Sequence, residues 1–239
     1  MEAYAYTNPG GRNVNEDSML CEYDGERGLF LVADGLGGHS HGEIASALAR
    51  DSIRDELSAC SDITPDALRF ALRHAGDAIL LRQQESGQRS MKSTAVVLSI
   101  CDGRALWAHV GDSRLWYFRD GKIAGVTRDQ SVSYKKFASG EISYAGINTD
   151  EDRSALLAAL GSKGRGEPEV REEPWTLRPG DAFLLCSDGF WEYLHETELL
   201  IDLLKSRTPR EWAENMLVRM LPRMRPNSDN LSVITVMIN

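Results

Sequence analysis

Five short stretches of this 239-residue chain put carboxylates where an apolar run begins or ends: "NEDS" with Glu16 and Asp17, "VADG" with Asp34, "VGDS" with Asp112, "CSDG" with Asp188 and "SDNL" with Asp229. Two of these aspartates precede a glycine, and neither pair leads into a second strand. Asp34-Gly35 follows "LFLVA" and Asp188-Gly189 follows "AFLLCS", and helical or irregular sequence comes next. Acidic residues at several strand ends can be gathered by one edge of a sheet sandwich. Gathered there, they repel one another and raise each other's pKa values unless a cation neutralises them. The chemistry that fits is a site for hard, oxygen-seeking divalent ions, Mg²⁺ or Mn²⁺, which take carboxylate, backbone carbonyl and water ligands. A glycine after Asp34 lets its own carbonyl approach an ion, because no Cβ intervenes. Two such ions about 4 Å apart clamp a phosphate and lower the pKa of a water between them.

The elements that must carry these residues follow from patterning. Strand-like runs dominate: "EAYAYT", "SMLCEY", "GLFLVAD", "STAVVLSI", "ALWAHV", "RLWYFR", "KIAGVT", "AFLLCSD" and "LSVITVMI". Asp24-Gly25, Asp102-Gly103 and Asp120-Gly121 each separate two such runs and predict two-residue type I′ hairpins, hence antiparallel sheet. Amphipathic patterns predict helices over 42–59 and 64–85, with Ile44, Leu48, Ile53 and Leu57 near one face of the first. A second pair is predicted over "ETELLIDLLKS" and "TPREWAENMLVRMLPRM". Thr64-Pro65 and Thr208-Pro209 are cap-plus-first-turn starts. Helix pairs on both sides of a block of strands imply antiparallel sheets packed together with helices outside. Residues 127–166 carry the least pattern and read as a flap or small insertion. No linker, repeat or charge block divides the sequence, so 1–239 is expected to be one domain.

Bulk properties remove whole classes of function. A net charge of −9 argues against a nucleic-acid partner, and it requires positive charge to be supplied locally for any phosphorylated substrate. Hydrophobic content of 42% with 26% charged residues describes an ordinary soluble protein, and no apolar run approaches the roughly 20 residues that span a bilayer. The start "MEAYAYTNPG" lacks a signal-peptide pattern, and Cys21, Cys60, Cys101 and Cys186 form no CxxC pair. Cytoplasmic localisation and reduced thiols are expected. Cys21 and Arg27 have the CxxxxxR spacing of cysteine-dependent phosphatases, but Glu22, Asp24 and Glu26 in the interval would repel a phosphate and raise the thiol pKa. "GLGGHS" lacks the third glycine of a dinucleotide loop, and no GxxxxGK[ST] occurs.

Taken in order, "RNVNEDS", "VADGLGGHSHGEIAS", "STAVV", "HVGDSRLWYF", "PGDAFLLCSDGFWEYL" and "SDNLSVITV" resemble the motifs of the PP2C-type (PPM) metal-dependent serine/threonine phosphatases, over about residues 3–238. The resemblance implies an α+β, αββα sandwich of two antiparallel sheets flanked by pairs of helices. By the same resemblance Asp17, Asp34, Asp188 and Asp229 are metal-binding aspartates and Gly35 ligates through its carbonyl. Glu16 acts through a metal-bound water, Asp112 matches a third, looser metal position of bacterial members, and Arg12 grips the substrate phosphate, a task suited to a planar guanidinium fork. Arg12, Asp34 and Asp188 are thus the catalytic candidates. Two or three Mn²⁺ or Mg²⁺ ions are implied as cofactors, with direct attack of metal-activated water on the phosphorus of a phosphoserine or phosphothreonine protein and no phosphoenzyme. The implied partner is such a phosphoprotein, a Ser/Thr kinase or its target, met by a monomer that does not insert in membranes. The alternative is a non-catalytic PP2C-like regulatory binding module, against which every expected metal position is filled. "SDGFWEYL" and "RMRPNSDNLS" are similar to phosphatases that oppose a threonine kinase in bacterial type VI secretion control.

The chain departs from the family pattern at Leu36, where some members carry a histidine, and at Gln130, where "TRDQS" replaces a histidine. The flap, about 131–153, looks short. His39 and His41 are offset from the histidine position and are read as loop residues, because hard ions prefer oxygen. Thr94 and Asn230 are placed to brace ligands.

Overall fold

The computed structural model describes residues 1–37, 41–60, 62–87, 90–164 and 167–239. Among the described residues, twelve strands and six α-helices follow in the order β1 (Glu2–Asn8), β2 (Asp17–Tyr23), β3 (Gly28–Leu36), α1 (Gly42–Ser58), α2 (Pro65–Ser86), β4 (Lys92–Ser93), β5 (Ala95–Cys101), β6 (Arg104–Val110), β7 (Arg114–Arg119), β8 (Lys122–Val126), α3 (Val132–Ala138), β9 (Glu169–Val170), β10 (Trp175–Thr176), β11 (Ala182–Cys186), α4 (Asp188–Trp191), α5 (Glu196–Lys205), α6 (Pro209–Met220) and β12 (Leu231–Met237). One sheet runs β1-β12-β11-β7-β8. The other runs β10-β6-β5-β3-β2, with β4 added to β3 and β9 to β6. Every strand pair is antiparallel.

Alternation along the strands builds three apolar layers, because successive side chains point to opposite faces. On β3, Leu31 and Ala33 pack beneath α1 and α2, whereas Phe30 and Val32 face the other sheet. On β11, Leu184 and Cys186 meet the helices α4–α6, and Phe183 and Leu185 face inward. The result is helices, sheet, sheet, helices, the α+β sandwich expected. α1 approaches its sheet through small residues: Ala45, Ser46 and Ala49 are fully buried, while Ile44 and Leu48 are only partly so. The buried face is therefore centred between the residues whose hydrophobicity marked it.

Local signals mostly act as their chemistry dictates. The Thr64 and Thr208 hydroxyls accept the backbone N–H groups of Ala67 and Glu211, each capping a helix that opens with proline. Asp102-Gly103 and Asp120-Gly121 have φ of 48°, 69°, 53° and 67°, as type I′ turns need. Asp24-Gly25 does not form the expected two-residue turn. The loop is four residues long, since the Asp24 carboxylate accepts the N–H groups of Glu26 and Arg27 at 3.2 and 2.9 Å and holds Asp24 outside the left-handed region. The last helix also ends sooner than its pattern, at Met220, and a short 3₁₀ turn containing Pro222 follows. No described helix is long and apolar enough to cross a membrane.

Candidate metal and phosphate site

Strand register brings the acidic residues to one end of the sandwich. Asp17 opens β2 and lies directly across from Asp34 near the end of β3. In the other sheet Arg114 pairs with Cys186 and Cys186 with Val233. Asp112, Asp188 and Asp229 each lie two to four residues from that row, so all three emerge on the same edge. Two sheets thus each present carboxylates to a shared mouth. Asp34 feels the charges of Asp188, Asp17, Asp112 and Asp229 together.

Asp34-Gly35 is not a turn. β4 pairs with the end of β3, Gly35 opposite Ser93 and Leu36 opposite Lys92, and so extends the strand past the aspartate. Glycine is required here by close approach. A Cβ on Gly35 would strike the carbonyl of Gly42 and lie 2.6 Å from the carbonyl oxygen of Glu16. The second pair repeats the device, for a Cβ on Gly189 would strike the carbonyl of Asn230. Each glycine lets its aspartate sit where another acidic loop passes.

Neighbouring polar groups hold the mouth open. The Ser187 hydroxyl donates to Asp17 Oδ2 at 2.8 Å. The Thr94 hydroxyl accepts the Asp34 N–H at 3.1 Å and shares a 2.7 Å hydrogen bond with Ser113, next to Asp112. Asn230 Oδ1 accepts the Glu16 N–H, and its amide donates to the carbonyls of Pro9 and Val14. That single side chain fixes the loop carrying Arg12 and Glu16. Gly42 N–H, at the start of α1, donates to Glu16 Oε1 at 3.3 Å. Ser187 was not legible as a participant; its place before Asp188 in "CSDG" is the one signal available.

Burial and mutual repulsion set the electrostatics. Asp34 and Asp188 are pushed well above the usual carboxylate range, first by burial and then by the other aspartates. Burial raises Asp17 to about 6 against the lowering effect of Ser232 and Ser187. It raises Asp112 to about 7, with Asp129 adding to the effect. Glu16 is raised by burial too. Asp17 Oδ1 and Asp188 Oδ1 are buried with no hydrogen-bond partner. Unpaired buried carboxylate oxygens are costly, and a bound cation satisfies them. Among the described residues, no three His, Cys, Asp or Glu side chains form a ready-made cage. Mg²⁺-like ions suit that spacing, because they keep several waters and take only one or two carboxylates each. The carboxylates and the Gly35 carbonyl are oxygen donors, which fit hard divalent ions.

Arg12 lies at the exposed rim, its Nη2 donating to Asp229 Oδ2 at 2.9 Å. His41 lies in the turn before α1, half-buried, with its Nδ1 buried and unpaired; His39 lies outside the described residues. Gln130 takes a structural part: Oε1 accepts the Gly111 N–H at 3.0 Å and Nε2 donates to the Glu167 carbonyl. The Cys21–Arg27 spacing forms no phosphate loop. Cys21 is a strand residue whose thiol burial pushes up to about 11, and Arg27 donates to the Cys60 carbonyl.

Known proteins resemble this chain over nearly its whole length. The serine/threonine phosphatase stp of Listeria monocytogenes is 28% identical over 94% of this chain and 90% of its own length. A structure of the catalytic domain of the phosphatase PstP in complex with two manganese ions superposes with a TM-score of 0.84 at 26% identity, covering 100% of this chain and 98% of that one. PppA, a key regulatory component of T6SS in Pseudomonas aeruginosa, superposes with a TM-score of 0.80 at 28% identity, covering 99% and 97%. The family model for protein phosphatase 2C matches residues 11–225, and the chain belongs to that family.

Proposed function

We propose that the carboxylate mouth is the active centre of a divalent-metal-dependent protein serine/threonine phosphatase. The observation that carries this reading is the convergence of Asp17, Asp34, Asp112, Asp188 and Asp229 from both sheets, with two of their oxygens buried and unpaired. Asp17, Asp34, Asp188, Asp229 and the Gly35 carbonyl would hold the ions, Glu16 would act through water at their edge, and Asp112 would serve a third position. When bound, Mg²⁺ or Mn²⁺ supplies Lewis acidity toward the phosphate and makes water a usable nucleophile near neutral pH.

The chain's own groups do the rest. Arg12 is already oriented into the mouth by Asp229, and its fork is free to exchange one carboxylate oxygen for phosphate oxygens as substrate arrives. Ser187 and Thr94 keep Asp17 and the Asp34 backbone from rotating away. The manganese-bound relative and the activity named for the Listeria relative support metal dependence and phosphoprotein substrates. The likeness to PppA, a regulatory component of T6SS, supports a finer role in type VI secretion control, in which the chain would oppose a Ser/Thr kinase.

The test uses p-nitrophenyl phosphate and a phosphothreonine peptide. Hydrolysis of both is expected with Mn²⁺ or Mg²⁺, and exhaustive chelation should reduce it at least about 100-fold, with recovery on adding metal back. Activity that persists undiminished after chelation would refute the reading.

A further inference from the structure

Beside the mouth runs a groove of about 1080 Å³, larger than most small-molecule sites. It begins at Leu36 and Gly37, immediately past Gly35, and extends to the segment Leu156–Lys163. Its wall is anchored to the site by the main chain. Leu160 exchanges two hydrogen bonds with Ser93 (3.2 and 2.8 Å), and the Ser93 hydroxyl donates to the Asp34 carbonyl.

The groove's charge is opposite to that of the molecule. The chain carries 36 acidic residues and a net charge of −9. Yet among the described residues the groove is lined by no Asp or Glu and by two lysines, Lys92 and Lys163. Lys92 lies across from Leu36 on β4, one residue from Ser93. Neither lysine has an ion-pair partner among the described residues. Lys136, by contrast, is taken up by Asp150 and Asp152. Asp77 and Glu167 line an adjoining recess that shares Leu80, Ala159, Gly161 and Ser162 with the groove, and Glu167 is paired with Arg73; Glu85, next to Gln84 on α2, is paired with Arg82. Apolar wall is supplied by Leu80, Leu156 and Leu157.

A recess with this volume, apolar wall and unpaired positive charge matches a polypeptide segment carrying acidic side chains. We propose that the groove docks the residues flanking the phosphorylated position of a protein substrate, and that Lys92 and Lys163 select acidic residues there. This rests on the phosphatase reading of the adjoining mouth. An acidic flank would otherwise be repelled by the protein's net charge, so local lysines decide which sequences can lie down beside the site.

The experiment compares two phosphothreonine peptides with Mn²⁺ present, one with Asp/Glu flanks and one with Gln flanks. For the wild type, kcat/KM should favour the acidic peptide by about threefold to tenfold, the range of one or two partly exposed charge pairs. The difference should lie mainly in KM, since flank contacts are made equally in ground and transition states. The preference should shrink as NaCl is raised from 50 to about 500 mM, a reading that needs no variant. In Lys92→Gln, Lys163→Gln the ratio should fall below about twofold, and in Lys92→Glu, Lys163→Glu it should invert toward a peptide with Lys flanks. If the wild type hydrolyses both peptides equally, or if charge reversal leaves the preference intact, the docking proposal is overturned while the phosphatase reading stands. No hydrolysis of any phosphopeptide or of p-nitrophenyl phosphate would overturn both.

Discussion

Asp34→Asn, or Asp188→Asn, is expected to make the metal-free protein more stable at pH 7.5 while reducing metal-dependent hydrolysis at least about 100-fold. Ordinary surface mutants do neither, and loss of a structural residue lowers stability. The reason is the sign of the carboxylate shifts. Asp34 and Asp188 are raised well above 3.8, Asp17 to about 6 and Asp112 to about 7. From about pH 4 up to the raised pKa values, about 6 for Asp17 and about 7 for Asp112, the folded state holds protons that the unfolded state has released, so metal-free stability falls as pH rises. Asp34 and Asp188 are shifted in the same direction, and a neutral amide at either removes part of that penalty. A gain of about 1–3 kcal/mol is expected, raising Tm by about 2–4 °C per kcal/mol. Glu198 works the other way. Held down to about 2 by its hydrogen bonds with Arg223, it contributes stability present above the normal glutamate pKa and lost on acidification. The informative quantity is therefore the difference between variant and wild type, measured by thermal unfolding from pH 4 to 8 in chelator. It should grow with pH and reverse when saturating Mn²⁺ is added. A variant that is less stable than wild type throughout would show that these carboxylates do not repel one another in the fold.

The largest loss of stability is expected from breaking the pair between Arg114 and Asp129. The guanidinium grips the carboxylate with both arms, at 2.7 and 2.6 Å, and both side chains are almost fully buried. It also stacks 3.5 Å from the centroid of the Trp191 ring, whose Nε1 donates to the Asp112 carbonyl at 3.1 Å. Removing one partner leaves a buried charge uncompensated. Asp129→Asn or Arg114→Met should cost about 3–5 kcal/mol, a fall in Tm of roughly 6–20 °C. Pairing Arg114→Met with Asp129→Leu should recover much of it, because two apolar groups need no compensation. Urea denaturation of the three variants checks this. Single variants that lose less than about 1 kcal/mol would mean water reaches the pair. Because the stack supports Asp112, the single variants should also weaken ion binding at the position proposed there before binding at the other proposed positions.

How much of this was visible in the sequence depends on the range of the interaction. Thr-Pro helix starts and two of the Asp-Gly hairpins are decided within four residues, and they stand where the chain alone places them. The alternation in "GLFLVAD" and "AFLLCSD" sorts residues to two faces but does not say which strand lies beside which. The meeting of Asp17 with Asp34 is a matter of register between strands, and the sequence offered only the shared habit of ending an apolar run in acid. What escaped altogether depends on contacts far along the chain. β4 lengthens β3 past Asp34 from almost sixty residues away, Ser187 holds Asp17 across 170 residues, and Gly35 is glycine because Gly42 and Glu16 press on it rather than for its own carbonyl alone. The groove with its unpaired lysines belongs to the same class, since Lys92 and Lys163 become neighbours of one recess only after β4 and Leu160 pair.

Whether the carboxylate mouth holds divalent ions can be read from a manganese-edge anomalous difference map of a crystal soaked in Mn²⁺, with Asp34→Asn as the control. At least two anomalous peaks are expected in the mouth, with Asp34 among the ligands of one or both, and their weakening or loss in the variant. Peaks confined to other surfaces, or an empty mouth in crystals whose activity in solution is full, would contradict metal binding there.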